Sequence, residues 1–378
     1  MTNGIPFPSA QDYVDYIQKF KIGGVGISGG EPFLTNDRTM LFVTRIKKQF
    51  GPKVYLWMYT NGNLVTEEKL KELRDAGLDE IRFDITANQY RLDKVQLAAG
   101  ILKRVTVEIP AIPEDFDLLK GVMRDLKSIG VRHLNLHQLR STPHNCKNLI
   151  ERNYTFLHGA QVTVLESELT ALRIMNYASQ NNMGLPINYC SVVFKDQYQT
   201  MGHRKRIAPF LCEPYEGTTP IGLIRRMAIK GETDELENAI EAFRRCGAKE
   251  KSWHLNEERN TLSIDQSLLQ HIDLKKHSIF LTYYVPILTA AVTYRNVFKE
   301  IPLNQKRKVI LEKAPKLADK ELRGDTAKKL QWFFLRKAYS SDLAPCSSEE
   351  EPDLSREEEG LQDILRSECI KPGLQDYY

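Results

Sequence analysis

The sequence predicts an α/β protein: a partial or full (β/α) TIM-like barrel followed by a mostly helical C-terminal accessory region. Two observations predict it. From Ser9 to about His137, short apolar runs alternate with amphipathic stretches, as repeated βα units on a parallel sheet require. Five such strands are visible, and right-handed crossovers would wrap them into a barrel whose C-terminal strand ends carry the active-site loops. A doubly wound open sheet is the rival arrangement.

The elements follow in order. Ser9 can cap a helix running to about Phe20, and Gly23-Gly24 ends it. A β run from Val25 to Ser28 meets the sharp Gly29-Gly30 turn, and a helix follows from Asp37 to about Phe50, stopped by Gly51-Pro52. Val54 to Thr60 is apolar and aromatic as a buried strand should be, and Asn61-Gly62 supplies the turn. Thr66 caps the next helix, with Glu67 and Glu68 at the positive end of its dipole and Gly77 past its end. Further strands are expected at Glu80–Ile85, Val105–Ile109 and His133–Leu139, with helices near Asp93–Lys103 and Asp115–Ile129 between them. Ser167–Gln180 reads as a helix and Leu185–Phe194 as a strand that would close the barrel. The expected divisions are a barrel at 1–215, a mostly helical region at 216–343 with a strand pair near Trp253–Ile264, and an acidic flexible tail at 344–378 with room for a short terminal helix.

A chain of 378 residues with 42% hydrophobic and 27% charged residues is an ordinary globular composition. The formal net charge of +4 gives no strong field, so charge does not indicate nucleic-acid binding. No apolar run reaches the ~18 residues a transmembrane helix needs, and the first residues resemble no signal peptide. A cytoplasmic protein without membrane contact is expected, its six scattered cysteines being reduced thiols.

Chemistry concentrates in GVGISGGEPFLT, Gly24 to Thr35. Two adjacent glycines let backbone approach a ligand, and Glu31 with the freed carbonyls suits an ammonium group. Alone, such a turn is most simply a glycine junction between strand and helix. Ser28-Gly29-Gly30-Glu31-Pro32 at one strand end, followed by Tyr59-Thr60-Asn61-Gly62 at the next, resembles the GGEP and TNG segments of radical S-adenosylmethionine (radical SAM) enzymes. The match covers roughly Pro8 to Leu139, and its character is closest to the activating enzymes of glycyl-radical proteins such as pyruvate formate-lyase.

That resemblance implies a [4Fe-4S] cluster, a metal-bound S-adenosylmethionine, and its reductive cleavage to a radical that takes hydrogen from a substrate. It implies cofactor contacts at Ser28, Gly29, Gly30, Glu31, Pro32, Thr60 and Asn61, and by strand position at Asp84, Glu108, Asn135 or His137. Asp84 and Glu108 can equally be capping or ion-pair residues, and His137 a satisfied barrel histidine.

The family holds its cluster with C-x3-C-x2-C, three thiolates that leave one iron open. No such spacing occurs, and Cys146 is the first cysteine. The ligands are therefore expected upstream of Met1, through a truncated chain or a misassigned start; a cluster-free relative is the alternative. Cys190 and Cys212 are the candidates for an auxiliary cluster, with inert buried thiols the plainer reading. The run Lys195–Arg206 reads as a basic loop able to meet a phosphate-bearing substrate, a nucleic-acid strand or an acidic protein surface, with a solvated charged loop the plainer reading. Two functions follow: a radical SAM enzyme, with this chain inactive alone, or a non-catalytic, regulatory barrel acting by partner or ligand binding. An ordinary metal-free barrel enzyme is a third class, for which no phosphate loop or paired acid and base is found.

Overall fold

The computed structural model describes residues 2, 4–159, 161–339 and 359–369. Contacts divide them into two units, residues 7–196 and residues 197 onward together with the first six, so the division falls at 196/197 rather than at 215.

The first unit holds six parallel strands in sequence order: β1 (Gly24–Ile27), β2 (Tyr55–Thr60), β3 (Glu80–Phe83), β4 (Val105–Pro110), β5 (His133–His137) and, after the hairpin β6 (Phe156–His158) and β7 (Val162–Val164), β8 (Ile187–Cys190). A doubly wound sheet would reverse its order at a switch point. This one never does, which makes it a partial barrel. The connecting helices are α1 (Ala10–Lys19), α2 (Asn36–Phe50), α3 (Glu67–Asp75), α4 (Asp93–Ile101), α5 (Phe116–Ser128), α6 (Cys146–Ile150) and α7 (Leu165–Gln180).

Strand alternation explains the layering. Leu56, Met58, Ile81, Phe83, Val107, Ile109, Leu134 and Leu136 are buried with Val43, Ile46, Leu70, Leu73 and Met123 of the helices in one apolar core. The opposite face carries Trp57, Tyr59, Arg82, Glu108, Asn135 and His137, aligned by register across β2 to β5. The expected strand Leu185–Phe194 is shorter: Ser191 Oγ accepts from the Phe194 amide and starts the turn α8 (Val192–Phe194). The expected basic loop is instead helical, a π turn over Lys195–Thr200 and then α9 (Met201–Leu211), and the run is divided between the two units.

The second unit corrects the expectation of a mostly helical region. Seven strands form one antiparallel sheet: β9 (Gly217–Thr218), β10 (Ile224–Lys230), β11 (Trp253–Asn256), β12 (Thr261–Ile264), β13 (Ile279–Thr289), β14 (Val297–Pro302) and β15 (Lys308–Leu322), in the order β11-β12-β10-β13-β15-β14 with β9 beside β10. The expected pair near Trp253–Ile264 is β11 and β12. Lysine, glutamate, leucine and alanine give β15 a helix-favouring composition, yet its long ladder with β13 fixes it as a strand. Helices α10 (Thr233–Arg245), α11 (Gly324–Tyr339) and α12 (Glu359–Glu368) complete the unit. Leu236, Ile240 and Phe243 share one face of α10 and join its core.

The short terminal helix allowed for in the expected tail is α12. Ile364 is fully buried in that core, and Glu368 bonds Arg225 Nη1 at 2.7 Å and the Tyr283 hydroxyl at 2.9 Å. Residues 344–358 and 370–378 of the expected tail lie outside the described residues. Among the described residues, no helix is long and apolar enough to cross a membrane.

Candidate active site

The loop after β1 turns on Gly29 at φ +95° and Gly30 at φ +60°, both in the region that favours glycine. A Cβ at either would meet nothing within 4 Å, so their backbone stands open, and Ser28 beside them is exposed. Glu31 then caps the short turn Pro32–Thr35 by accepting from the Phe33 amide at 3.2 Å. Pro32 is buried, and its carbonyl accepts from Thr39 Oγ1 of α2 at 2.9 Å.

Glu31 also reaches the neighbouring strand end. Its carboxylate accepts from Thr60 Oγ1 at 2.9 Å and from the Asn61 amide at 2.8 Å. Thr60 Oγ1 in turn accepts from the Gly62 amide at 3.0 Å, and Asn61 Oδ1 from the Asn63 amide at 3.0 Å. The two segments singled out in the sequence are therefore one assembly. A carboxylate offers about four acceptor positions and three are used here, so Glu31 mainly shapes the loop.

Asp84 turns back on the residues that follow it. Its Oδ1 accepts from the Thr86 amide at 3.1 Å and the Thr86 hydroxyl at 2.6 Å. Glu108 sits in a network on the polar face: Arg82 Nη1 donates at 2.9 Å, Asn135 Nδ2 at 3.0 Å and His137 Nε2 at 2.5 Å. Burial opposes its charge, but the His137 and Asn135 hydrogen bonds and the Arg82 guanidinium bring its pKa down to about 2. Arg82 also pairs with Glu80 at 2.9 Å and lies over the Trp57 ring at 4.8 Å from its centroid. Burial disfavours the guanidinium, and Glu80, Tyr59 and Glu108 more than compensate, raising its pKa.

The sequence reading missed Arg82, and it singled out Lys195 only as the start of a basic run, not as a partner of His137. Arg82 was visible as the alternate position between Ile81 and Phe83; the Lys195 pairing gave no local signal, since His137 is 58 positions away. Cys190 lies on the polar face opposite His137 in register, its thiol pushed up first by burial, whereas Cys212 lies in the second unit, also pushed up by burial. Among the described residues, no three His, Cys, Asp or Glu side chains group as a metal site would.

Residues 2–132 match the sequence family described as the Radical SAM superfamily. A Methanocaldococcus jannaschii protein named "Putative glycyl-radical enzyme activating enzyme" is 31% identical over 229 residues, 58% of this chain. Over this stretch the first unit is similar to the radical SAM superfamily. The chain spans 60% of the length of that relative. Members of the superfamily generally use S-adenosylmethionine and a [4Fe-4S] cluster. The Gly29-Gly30 turn leaves the room that a closely approaching ligand such as S-adenosylmethionine needs, since a Cβ at either position would meet nothing within 4 Å. The cluster does not fit the described residues: the sequence has no C-x3-C-x2-C spacing, and among the described residues no three His, Cys, Asp or Glu side chains group together.

Proposed function

We propose that this chain carries the cofactor-binding partial barrel of a radical SAM enzyme of the activating-enzyme type. S-adenosylmethionine would lie along the C-terminal strand ends, its methionine end at Ser28–Glu31 and Thr60–Asn61 and the remainder toward Glu108 and His137. The observation that carries this reading is the Glu31 bridge: one carboxylate fixes both loops and leaves two left-handed glycines open between them. Hydrogen abstraction from a substrate would need a three-cysteine cluster segment that these 378 residues do not contain, so no step is assigned to it.

Equilibrium dialysis with labelled S-adenosylmethionine tests the binding half of the proposal: saturable binding that Gly30→Val abolishes is expected, and equal binding by wild type and variant would overturn it. Anaerobic cluster reconstitution of this chain beside one extended through its upstream reading frame, scored by iron content and 5′-deoxyadenosine release, tests the enzymatic half. Cleavage by the extended chain alone is expected. The lack of any metal-holding group among the described residues favours a second reading, a barrel that works by binding only. S-adenosylmethionine binding with no cleavage by either chain would select it.

A further inference from the structure

Lys195 follows β8, yet its ammonium reaches back to the end of β5, where Nζ donates to His137 Nδ1 at 3.0 Å. An ammonium has no lone pair, so Nδ1 must supply one, and the ring proton sits on Nε2 facing Glu108. Glu108 has little charge left to offer across the ring, since Arg82 and Asn135 both donate to its Oε2. Among the described side chains, no carboxylate lies within ion-pair distance of Lys195. Of its three N–H donors one is used, on His137 Nδ1. A half-buried cation held in place with two donors unspent is the arrangement an anionic oxygen group completes.

The turn that carries Lys195 is fastened rather than loose. The Val192 amide donates to Gln138 Oε1 at 3.1 Å, tying the segment after β8 to the residue that follows β5. Burial pushes the Cys190 thiol up, outweighing the pull of the Lys195 charge, so the thiol is a poor rival anion for that ammonium.

We propose that Lys195, positioned by His137 and Glu108, receives an anionic oxygen group of the substrate, a carboxylate or a phosphate. Assigning that group to the substrate rests on the function proposed above, which puts the methionine end of the cofactor at the loop after β1. β5 stands four strands away, on the order of 19 Å along the sheet at ordinary strand spacing. The cofactor's own carboxylate belongs at the β1 side, and the cation at the β5–β8 side is left for a second ligand.

The test uses the full chain with carbon-13-labelled histidine rings, the His137 signal being identified by its loss in His137→Gln. Acetate and inorganic phosphate are titrated separately at constant ionic strength, and S-adenosylmethionine in a third series. A saturable His137 shift with one of the anions is expected, the tighter of the two naming the group. Lys195→Gln, checked by thermal melting, should weaken it roughly tenfold or more, as loss of one charge-assisted hydrogen bond does, and Lys195→Arg should retain it. No saturable shift with either anion overturns the proposal. So does a Lys195→Gln defect in S-adenosylmethionine binding, which would give the ammonium to the cofactor instead. If the anion shift appears while S-adenosylmethionine fails to bind wild type, the cofactor reading falls and the Lys195 site stands.

Discussion

Glu31 Oε2 accepts the Asn61 amide at 2.8 Å, so a side chain from the loop after β1 closes the hydrogen bonding of the loop after β2. Glu31→Gln keeps the shape but places an amide donor opposite one of the donors Glu31 now accepts. A stability loss of about 1–2 kcal/mol in urea unfolding is expected, the cost of a half-buried donor left unpaired. Faster hydrogen exchange at the Asn61 or Phe33 amide would locate the damage; unchanged exchange at both would contradict the bridge.

Glu108 makes the first unit sensitive to acid. Its pKa falls from an ordinary 4.5 to about 2 on folding, so it contributes stability at pH values above 4.5 and loses that contribution as pH falls toward 2. Glu108→Gln should cost about 3 kcal/mol at neutral pH, with the gap to wild type narrowing across that window. Denaturant titrations at stepped pH measure it, and a gap independent of pH would contradict the assignment.

Gly26 is glycine because of its neighbour. A Cβ there would lie 2.7 Å from the Trp57 indole, which is itself held under Arg82. Gly26→Ala should destabilise by about 1–3 kcal/mol through overpacking and alter the fluorescence of Trp57. Gly29→Ala meets no such neighbour and should cost only the backbone strain of its positive φ, about 1 kcal/mol.

Arg225 and Glu368 form a buried ion pair in the second unit. Removing one partner strands the other, so Glu368→Ala should cost about 3–5 kcal/mol. The double variant Arg225→Met with Glu368→Leu should recover much of that loss, since apolar replacement removes the stranded charge. Recovery is read by thermal unfolding, and a double variant no better than Glu368→Ala would mean the pair serves packing alone.

The βα alternation made the first unit legible, because each strand buries one face on the helices, and α2, α3 and α5 end at Gly51, Gly77 and Gly130. The GGEP and TNG segments were legible for a related reason: positive-φ glycines leave a local signature, and Gly29, Gly30 and Gly62 all have one. The polar network was only half readable. Glu80, Arg82 and Asp84 alternate within EIRFDIT, yet nothing local shows that Arg82 selects Glu108 on the next strand while Asp84 turns back on Thr86. The second unit escaped because its strands are set by partners far along the chain. Lys308–Leu322 is helix-favouring in composition and becomes a strand through pairing with β13 and β14. In α12, the acidic surroundings hid Ile364 and Glu368, whose spacing of four puts both on the buried face.

The distance between Arg225 and Glu368, 143 positions along the chain, has a consequence for how the protein is made. A ribosome delivers β10 long before it delivers α12, so the nascent second unit carries an uncompensated cation among apolar side chains until the last helix emerges. Assembly of that core therefore waits for α12, and a chain without α12 would leave Arg225 and the contacts of Ile364 uncompensated.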